Sequence, residues 1–183
     1  MKTKLELRIK QGIYIILFIV ATFDVWAQEE IDKSSGHNEF KINMGSLLLE
    51  FPEFSYEHIL NEESSIGVSL AFPLDSNISY KFMVFPNFRM FFGSKPVAGF
   101  FIEANSAIFS QRLQNQALFG TVTDESTNKT AVGFGLGLAI GGKFLTKNGF
   151  IGEIYLGGGR NFINTNKIDE GYPRVGISIG KRF

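Results

Sequence analysis

From position 39 onwards the chain alternates between apolar and polar residues with a period of two. Eight such runs occur, each bounded by turn-forming residues, and this pattern is typical of strands with one buried and one polar face. The runs cover residues 39–48, 53–60, 65–72, 80–92, 99–111, 130–145, 150–162 and 174–183. Pro86 lies inside the fourth run and removes a ladder donor, so we interpret it as marking a bulge.

The connections between the runs alternate in length. The turns at 61–64, 93–98 and 146–149 are short, and the last contains an Asn-Gly hairpin signal. The connections at 73–79, 112–129 and 163–173 are longer, whereas 49–52 is an exception because it is short. Short turns at one end and longer loops at the other are the pattern of outer-membrane barrels. The sequence therefore predicts an all-β fold, an eight-stranded antiparallel up-and-down transmembrane β-barrel over residues 39–183.

Residue size indicates which face of the strands looks inward. In the sixth run, large apolar residues alternate with glycine and alanine. Eight strands enclose a bore just wide enough for side chains to fill, so the small residues belong inside. Ionisable residues also fall on this inner face, where they need partners. We predict an interior ion-pair network, structural in role, that comprises Glu57, Arg89, Glu103, Lys143, Glu153 and Arg174.

The first 27 residues have the features of a secretory signal peptide. A basic start precedes a run of twelve uncharged, almost wholly apolar residues at 12–23, and cleavage is expected after Ala27. A membrane anchor is the alternative, but twelve residues at ~1.5 Å each span about 18 Å, short of the ~30 Å hydrocarbon core. Residues 28–38 are polar and patternless, and they predict a flexible periplasmic leader.

Composition excludes several classes of function. The chain has no cysteine, which excludes disulfides, thiolate metal sites and a lipidated N-terminal cysteine. Without residues 1–27 it carries 14 basic and 16 acidic residues, so a nucleic-acid partner has no electrostatic support. We expect no cofactor and no metal. The glycine-rich stretches at 133–137 and 157–160 fit no nucleotide fingerprint and predict strand glycines that relieve crowding.

The C-terminus provides a second indication of an outer-membrane barrel. Phe183 is the last residue and continues the apolar face formed by Val175, Ile177 and Ile179. Outer-membrane barrels commonly end on an aromatic residue that the assembly machinery reads, so these four residues are predicted to form a C-terminal assembly signal. Lys181 departs from the pattern, because an apolar residue is usual there.

Catalysis has little support in the sequence. Histidine occurs only at His37, in the leader, and at His58, on the apolar face of the second run. A lipid-modifying barrel enzyme needs a serine, a histidine and an acid together. His58 with Ser55 is conceivable, but residues of opposite parity in a strand point to opposite faces. We therefore expect no enzymatic activity.

Four segments carry a resemblance to a known group of proteins. They are residues 54–60 (FSYEHIL), 86–92 (PNFRMFF), 99–103 (GFFIE) and 176–183 (GISIGKRF). With these segments the chain resembles the small eight-stranded outer-membrane barrels, the group that includes the transmembrane domain of the outer membrane protein A family. Within that group it looks most like the Bacteroidetes barrels of the domain-of-unknown-function type DUF3575. The resemblance implies fold and location, and no activity.

Several functions are compatible with these features. The first is an integral outer-membrane protein with a structural or surface-interaction role, in which the 112–129 loop contacts a partner outside the cell. Its other partners would be the lipid bilayer and, during biogenesis, the barrel assembly machinery. The alternatives are a narrow pore through the polar lumen, a lipid-modifying enzyme and a soluble ligand-binding barrel.

Overall fold

A computed structural model describes residues 36–75, 79–112, 130–165 and 168–183. The predicted signal peptide (1–27), nearly all of the leader (28–38) and nearly all of the 112–129 loop lie outside these ranges. The described residues form a closed antiparallel barrel in which each strand pairs with its neighbours in sequence and β1 pairs with β8. The elements are β1 (Asn38–Asn43), α1 (Met44–Leu48), β2 (Glu53–Asn61), β3 (Ser64–Ala71), β4 (Tyr80–Phe92), β5 (Gly99–Arg112), β6 (Thr130–Leu145), β7 (Phe150–Asn161) and β8 (Gly171–Arg182).

The predicted eight-stranded antiparallel barrel is thus confirmed. Successive side chains of each strand point alternately into the barrel and away from it, as β5 illustrates. There Glu103 is completely buried, whereas Ile102 leaves 42% of its surface exposed. The described residues contain no helix with the length and hydropathy needed to cross a membrane.

The first predicted strand is wrong over its second half. Residues 44–48 form the short helix α1 instead of continuing β1. Asn43 caps this helix, since its side-chain oxygen accepts from the Ser46 backbone N–H at 3.2 Å. The apolar residues that follow Asn43 lack strict alternation, and the cap supplies a local alternative to the strand ladder.

This helix also removes the one exception in the loop-length pattern. The connection between β1 and β2 runs over 44–52 and is long, whereas 49–52 alone is short. The four longer connections therefore share one end of the barrel, which we call the loop end. The three shorter turns, the start of β1 and the end of β8 share the other, which we call the turn end.

The bulge predicted at Pro86 is also wrong. The β4–β5 register is the same on both sides of the proline, where Val84 pairs with Ile108 and Asn87 with Asn105. The register shift in β4 lies between Tyr80 and Phe82. Pro86 itself is exposed on the outer face and still lies opposite Val68 of β3.

Two aromatic clusters occupy the barrel interior. The cluster nearer the loop end contains Met83, Phe85, Phe109 and Tyr172. The cluster nearer the turn end contains Phe91, Val97, Phe101 and Tyr155. Buried charged side chains lie against both clusters, with the guanidinium of Arg89 4.6 Å from the Phe101 ring centroid and that of Arg174 4.7 Å from the Phe85 ring.

The inward glycines of β6 make room for these side chains. A Cβ atom on Gly141 would lie 2.5 Å from both the Ile154 carbonyl oxygen and the Phe101 ring, whereas a Cβ on Gly142 meets nothing within 4 Å.

We expect Gly141→Ala to lower the free energy of unfolding by about 1–3 kcal/mol through overpacking. Urea titration of the refolded barrel measures this change. Gly142→Ala is the matched control and should be neutral or slightly stabilising; equal losses in both variants would contradict the steric explanation.

Candidate functional site

The dominant feature of the interior is a single network of buried ion pairs, which we call the luminal network. Five carboxylates face five cationic side chains inside the barrel, and their formal charges cancel. Seven of the eight strands contribute, all except β3, and every member is nearly or completely buried. The members are Glu39, Lys41, Glu53, Glu57, Arg89, Glu103, Lys143, Glu153, Arg174 and Arg182.

Glu57 of β2 joins three cationic side chains and is the central carboxylate of the network. Its Oε1 accepts from the Lys143 ammonium at 2.6 Å and from the Ser65 hydroxyl at 2.6 Å. Its Oε2 accepts from Arg89 at 2.8 Å and also from Lys41. One buried carboxylate therefore joins cations from β1, β4 and β6, strands that are not all neighbours in the wall.

Two further carboxylates extend the network across the lumen. Glu103 lies between two guanidinium groups, at 2.7 Å from Arg89 and 3.0 Å from Arg174. Glu153 lies 2.8 Å from the Lys41 ammonium and 2.8 Å from Arg89. Arg89 thus touches three carboxylates, and its planar fork of donors suits this role better than a lysine would.

Arg174 ends the network on the side of the loop end. It donates to Glu53 at 2.5 Å, to the Tyr155 hydroxyl at 3.2 Å and to the Ser69 hydroxyl at 3.2 Å. Its guanidinium also lies over the Phe85 ring. Its Nε donates to Glu103, so each of the three guanidinium nitrogens has a hydrogen-bond partner.

Arg182 ends the network at the turn end. It forms two hydrogen bonds to Glu39 at 2.9 and 2.7 Å, and Glu39 also accepts from Lys143 at 2.8 Å. Arg182 further donates to the carbonyls of Pro96 and Val97, at 3.2 and 2.9 Å. The last residues of β8 are thereby tied to the turn between β4 and β5, whose Val97 is buried in the turn-end cluster.

Burying so many charges is tolerable only because all are paired. An isolated buried ion costs several kcal/mol of lost hydration, and good geometry with several partners can offset this cost. Low local polarity strengthens each pair and makes the loss of any one partner expensive. The network therefore joins side chains of seven strands across the lumen, and each of its charges has a partner of opposite sign.

The structure places all six predicted network residues inside the barrel and brings them together. Sequence reasoning left out four members. These are Lys41 and Arg182, which have the parity of the inner face, and Glu39 and Glu53, which each lie at the start of a run. Residue parity could have found both, since Glu39 is in phase with Lys41 and Glu53 with Glu57.

The four residues of the predicted C-terminal signal all lie on the outer face of β8 or just after it. Val175, Ile177, Ile179 and Phe183 are each substantially exposed. Lys181, the residue that departs from the pattern, extends along the wall with its ammonium 5.1 Å from the Phe150 ring centroid. Recognition of this segment by an assembly machinery remains a prediction.

The conceivable catalytic pair is not brought together. His58 is exposed on the outer face, where its Nδ1 lies 2.9 Å from the Asn38 side-chain oxygen. Ser55 lies on the opposite face and shares a 2.7 Å hydrogen bond with Ser69. Across the part of the chain that the structure describes, no group of three or more histidine and acidic side chains is arranged to hold a metal ion.

Comparison of the chain with protein-family models, with curated proteins and with solved structures gave no match. The resemblance to the DUF3575 type therefore stays a prediction that rests on the quoted segments.

Proposed function

We propose that this chain is an integral outer-membrane β-barrel protein with a structural or surface-interaction role and no catalytic activity. The observation that carries the proposal is the distribution of polarity across the barrel wall. The charged side chains lie inside the barrel and the outer face is apolar. A soluble barrel has the reverse arrangement, with its apolar face inside and its polar face towards water. An aqueous surrounding would leave the outer face without any cover.

Exposed large apolar side chains occur on every strand of the barrel. Examples in strand order are Phe40, Leu60, Leu70, Phe88, Phe100, Leu138, Leu156 and Ile177. Soluble monomers rarely expose a contiguous apolar patch beyond a few hundred Å². Covering apolar surface is worth about 25 cal/mol per Å². We call this belt of exposed apolar side chains the apolar girdle. A hydrocarbon phase around it would cover the apolar surface, and the alternation matches the lipid-facing and lumen-facing positions of transmembrane strands.

The filled lumen favours a structural role over transport. The ion pairs of Glu57, Glu103 and Arg174 cross the bore, and rings such as Phe101 and Phe109 fill it on either side. Eight-stranded barrels have bores that side chains can fill completely. A role on the cell surface would then fall to the long connections of the loop end, including the predicted loop 112–129.

Fractionation of cells that express the full chain tests the proposal. We expect the protein in outer-membrane fractions after an alkaline wash, with a shift in gel mobility on heating that marks a barrel. The purified protein in planar bilayers should give no reproducible single-channel steps, because paired side chains occupy the lumen. Recovery in a soluble fraction would contradict the membrane assignment, and steady conductance steps would favour the pore.

A further inference from the structure

The barrel wall has a gap on the side where its first and last strands meet. β1 ends at Asn43, which lies opposite Ser178, whereas β8 continues to Gly171. The first part of β8 therefore has no strand partner on its β1 side among the described residues. The helix α1 lies beside this edge in place of a strand.

The side chain of Asn43 extends the strand ladder one step into the gap. Its oxygen accepts from the Ile177 N–H at 3.2 Å, and its amide donates to the Val175 carbonyl at 3.2 Å. Both are groups that another residue of β1 would otherwise engage. Asn43 is almost fully buried, so its side chain is an integral part of the barrel wall.

The edge positions of β8 beyond Ile177 are Val175 and then Pro173, and only Pro173 lacks an N–H. The N–H groups of Phe183 and Ile177 point towards β1, since they bond Asn38 and Asn43. Pro173 has the same parity, so the donor that would face the gap does not exist. At Pro173 the edge can therefore adjoin a hydrocarbon phase at a lower cost than a free N–H would allow.

A cavity of about 600 Å³ lies in this gap. Five consecutive residues of β8, 173–177, line one side, and Gly45, Ser46 and Leu49 line the other. Alternate residues of a strand point to opposite faces, so a cavity lined by a continuous stretch must run along the strand edge. It extends inwards to Met83 and Phe85 of the loop-end cluster.

The chemistry of the cavity wall excludes a charged ligand group at its inner end. Arg174 and Glu53 line the cavity, but each already has its partner in the other, and Arg174 also has Glu103. The rest of the inner wall is aromatic or aliphatic, and the volume is within the ~300–1,000 Å³ of ordinary ligand sites. A flexible, neutral hydrocarbon chain fits these properties, whereas an anion would find no unpaired cation.

The outer end of the cavity adjoins side chains of the apolar girdle. Val175 and Ile177 line it and leave 53% and 57% of their surfaces exposed on the outer face. We propose that the gap between α1 and β8 admits a hydrocarbon chain from the surrounding bilayer into this cavity. The inference rests on the proposed membrane location, and the acyl chain of a lipid or of a free fatty acid would satisfy the same chemistry.

Tryptophan quenching by brominated lipid chains tests this inference. Trp26 is the only tryptophan of the chain, so a Trp26→Phe background is free of the fluorophore. Phe85→Trp then places a reporter at the inner end of the cavity, and Phe51→Trp is a second reporter on its lining. Each full-length variant is refolded into phosphatidylcholine vesicles with or without bromine on the acyl chains.

Two further reporters calibrate the measurement. Phe88→Trp lies on the outer face, and Phe101→Trp lies in the sealed interior. We expect Phe88→Trp and the cavity reporters to lose most of their emission in brominated lipid, while Phe101→Trp keeps most of its own. Vesicles of plain lipid with a trace of brominated fatty acid distinguish the free acid from the esterified chain as the source.

A substitution that narrows the mouth provides the matched comparison. Ser46→Phe puts a ring into the mouth and should restore the emission of Phe85→Trp, whereas Leu48→Phe on the exposed side of α1 should not. The inference is overturned if the cavity reporters are quenched no more than Phe101→Trp, or if Ser46→Phe leaves their quenching unchanged. Loss of quenching at Phe88→Trp as well would contradict the membrane location itself, which separates the two failures.

Discussion

Glu57→Gln is expected to lower the free energy of unfolding of the folded barrel by about 3–5 kcal/mol, the usual consequence of removing one partner from a buried ion pair. The carboxylate of Glu57 serves Lys41, Arg89 and Lys143 together. The amide would keep the shape of the side chain but not its charge. The five cations of the network would then face only four carboxylates. The lumen would therefore carry one uncompensated positive charge.

Urea titration of the refolded protein, followed by heat-dependent gel mobility, measures this loss. Glu62→Gln is the control, because Glu62 is exposed in the turn between β2 and β3 and should change stability by less than about 0.5 kcal/mol. The double variant Glu57→Gln with Lys143→Met restores charge balance and should regain part of the loss. Equal stability of Glu57→Gln and Glu62→Gln would refute a stabilising role for the network.

Leu138→Arg is expected to destabilise the barrel in a bilayer by about 2–4 kcal/mol, the cost of arginine on the lipid face near the midplane. Leu138 lies near the middle of β6 and leaves 65% of its surface exposed. No acidic side chain of the luminal network can reach it, because the wall separates the two faces. In water the same substitution would replace an exposed apolar side chain by a charged one and should be nearly neutral or favourable.

Unfolding titrations of the barrel in phosphatidylcholine vesicles measure this effect. Asn148→Arg is the matched control, since it adds the same charge in the exposed turn 146–149 and should cost almost nothing. A gradient of the cost from Leu138 towards the turn would support a bilayer around the barrel. Equal stability of the Leu138→Arg and Asn148→Arg variants would contradict it.

The strand count and the facing of nearly every residue could be predicted from the sequence, because period-two alternation is a local property of each strand. The exception in 44–48 shows the limit of this method. The period-two pattern extends the first strand over those residues, yet the Asn43 cap and the absence of strict alternation favour a helical turn there. This change of one turn has a large effect, because it shortens β1 and opens the gap beside β8.

Local sequence patterns suffice to predict a β-rich chain of eight strands with an apolar face and a face that carries balanced charges. Which of these charges form ion pairs depends on the tertiary structure. Lys41 and Glu153 are 112 positions apart, and their contact depends on closure of the sheet and on the stagger of its strands. Closure also decided where the wall is incomplete, since the gap arises from the unequal lengths of β1 and β8. Local patterns carry no information on such distant registers, which follow only when all eight strands pair around one filled lumen.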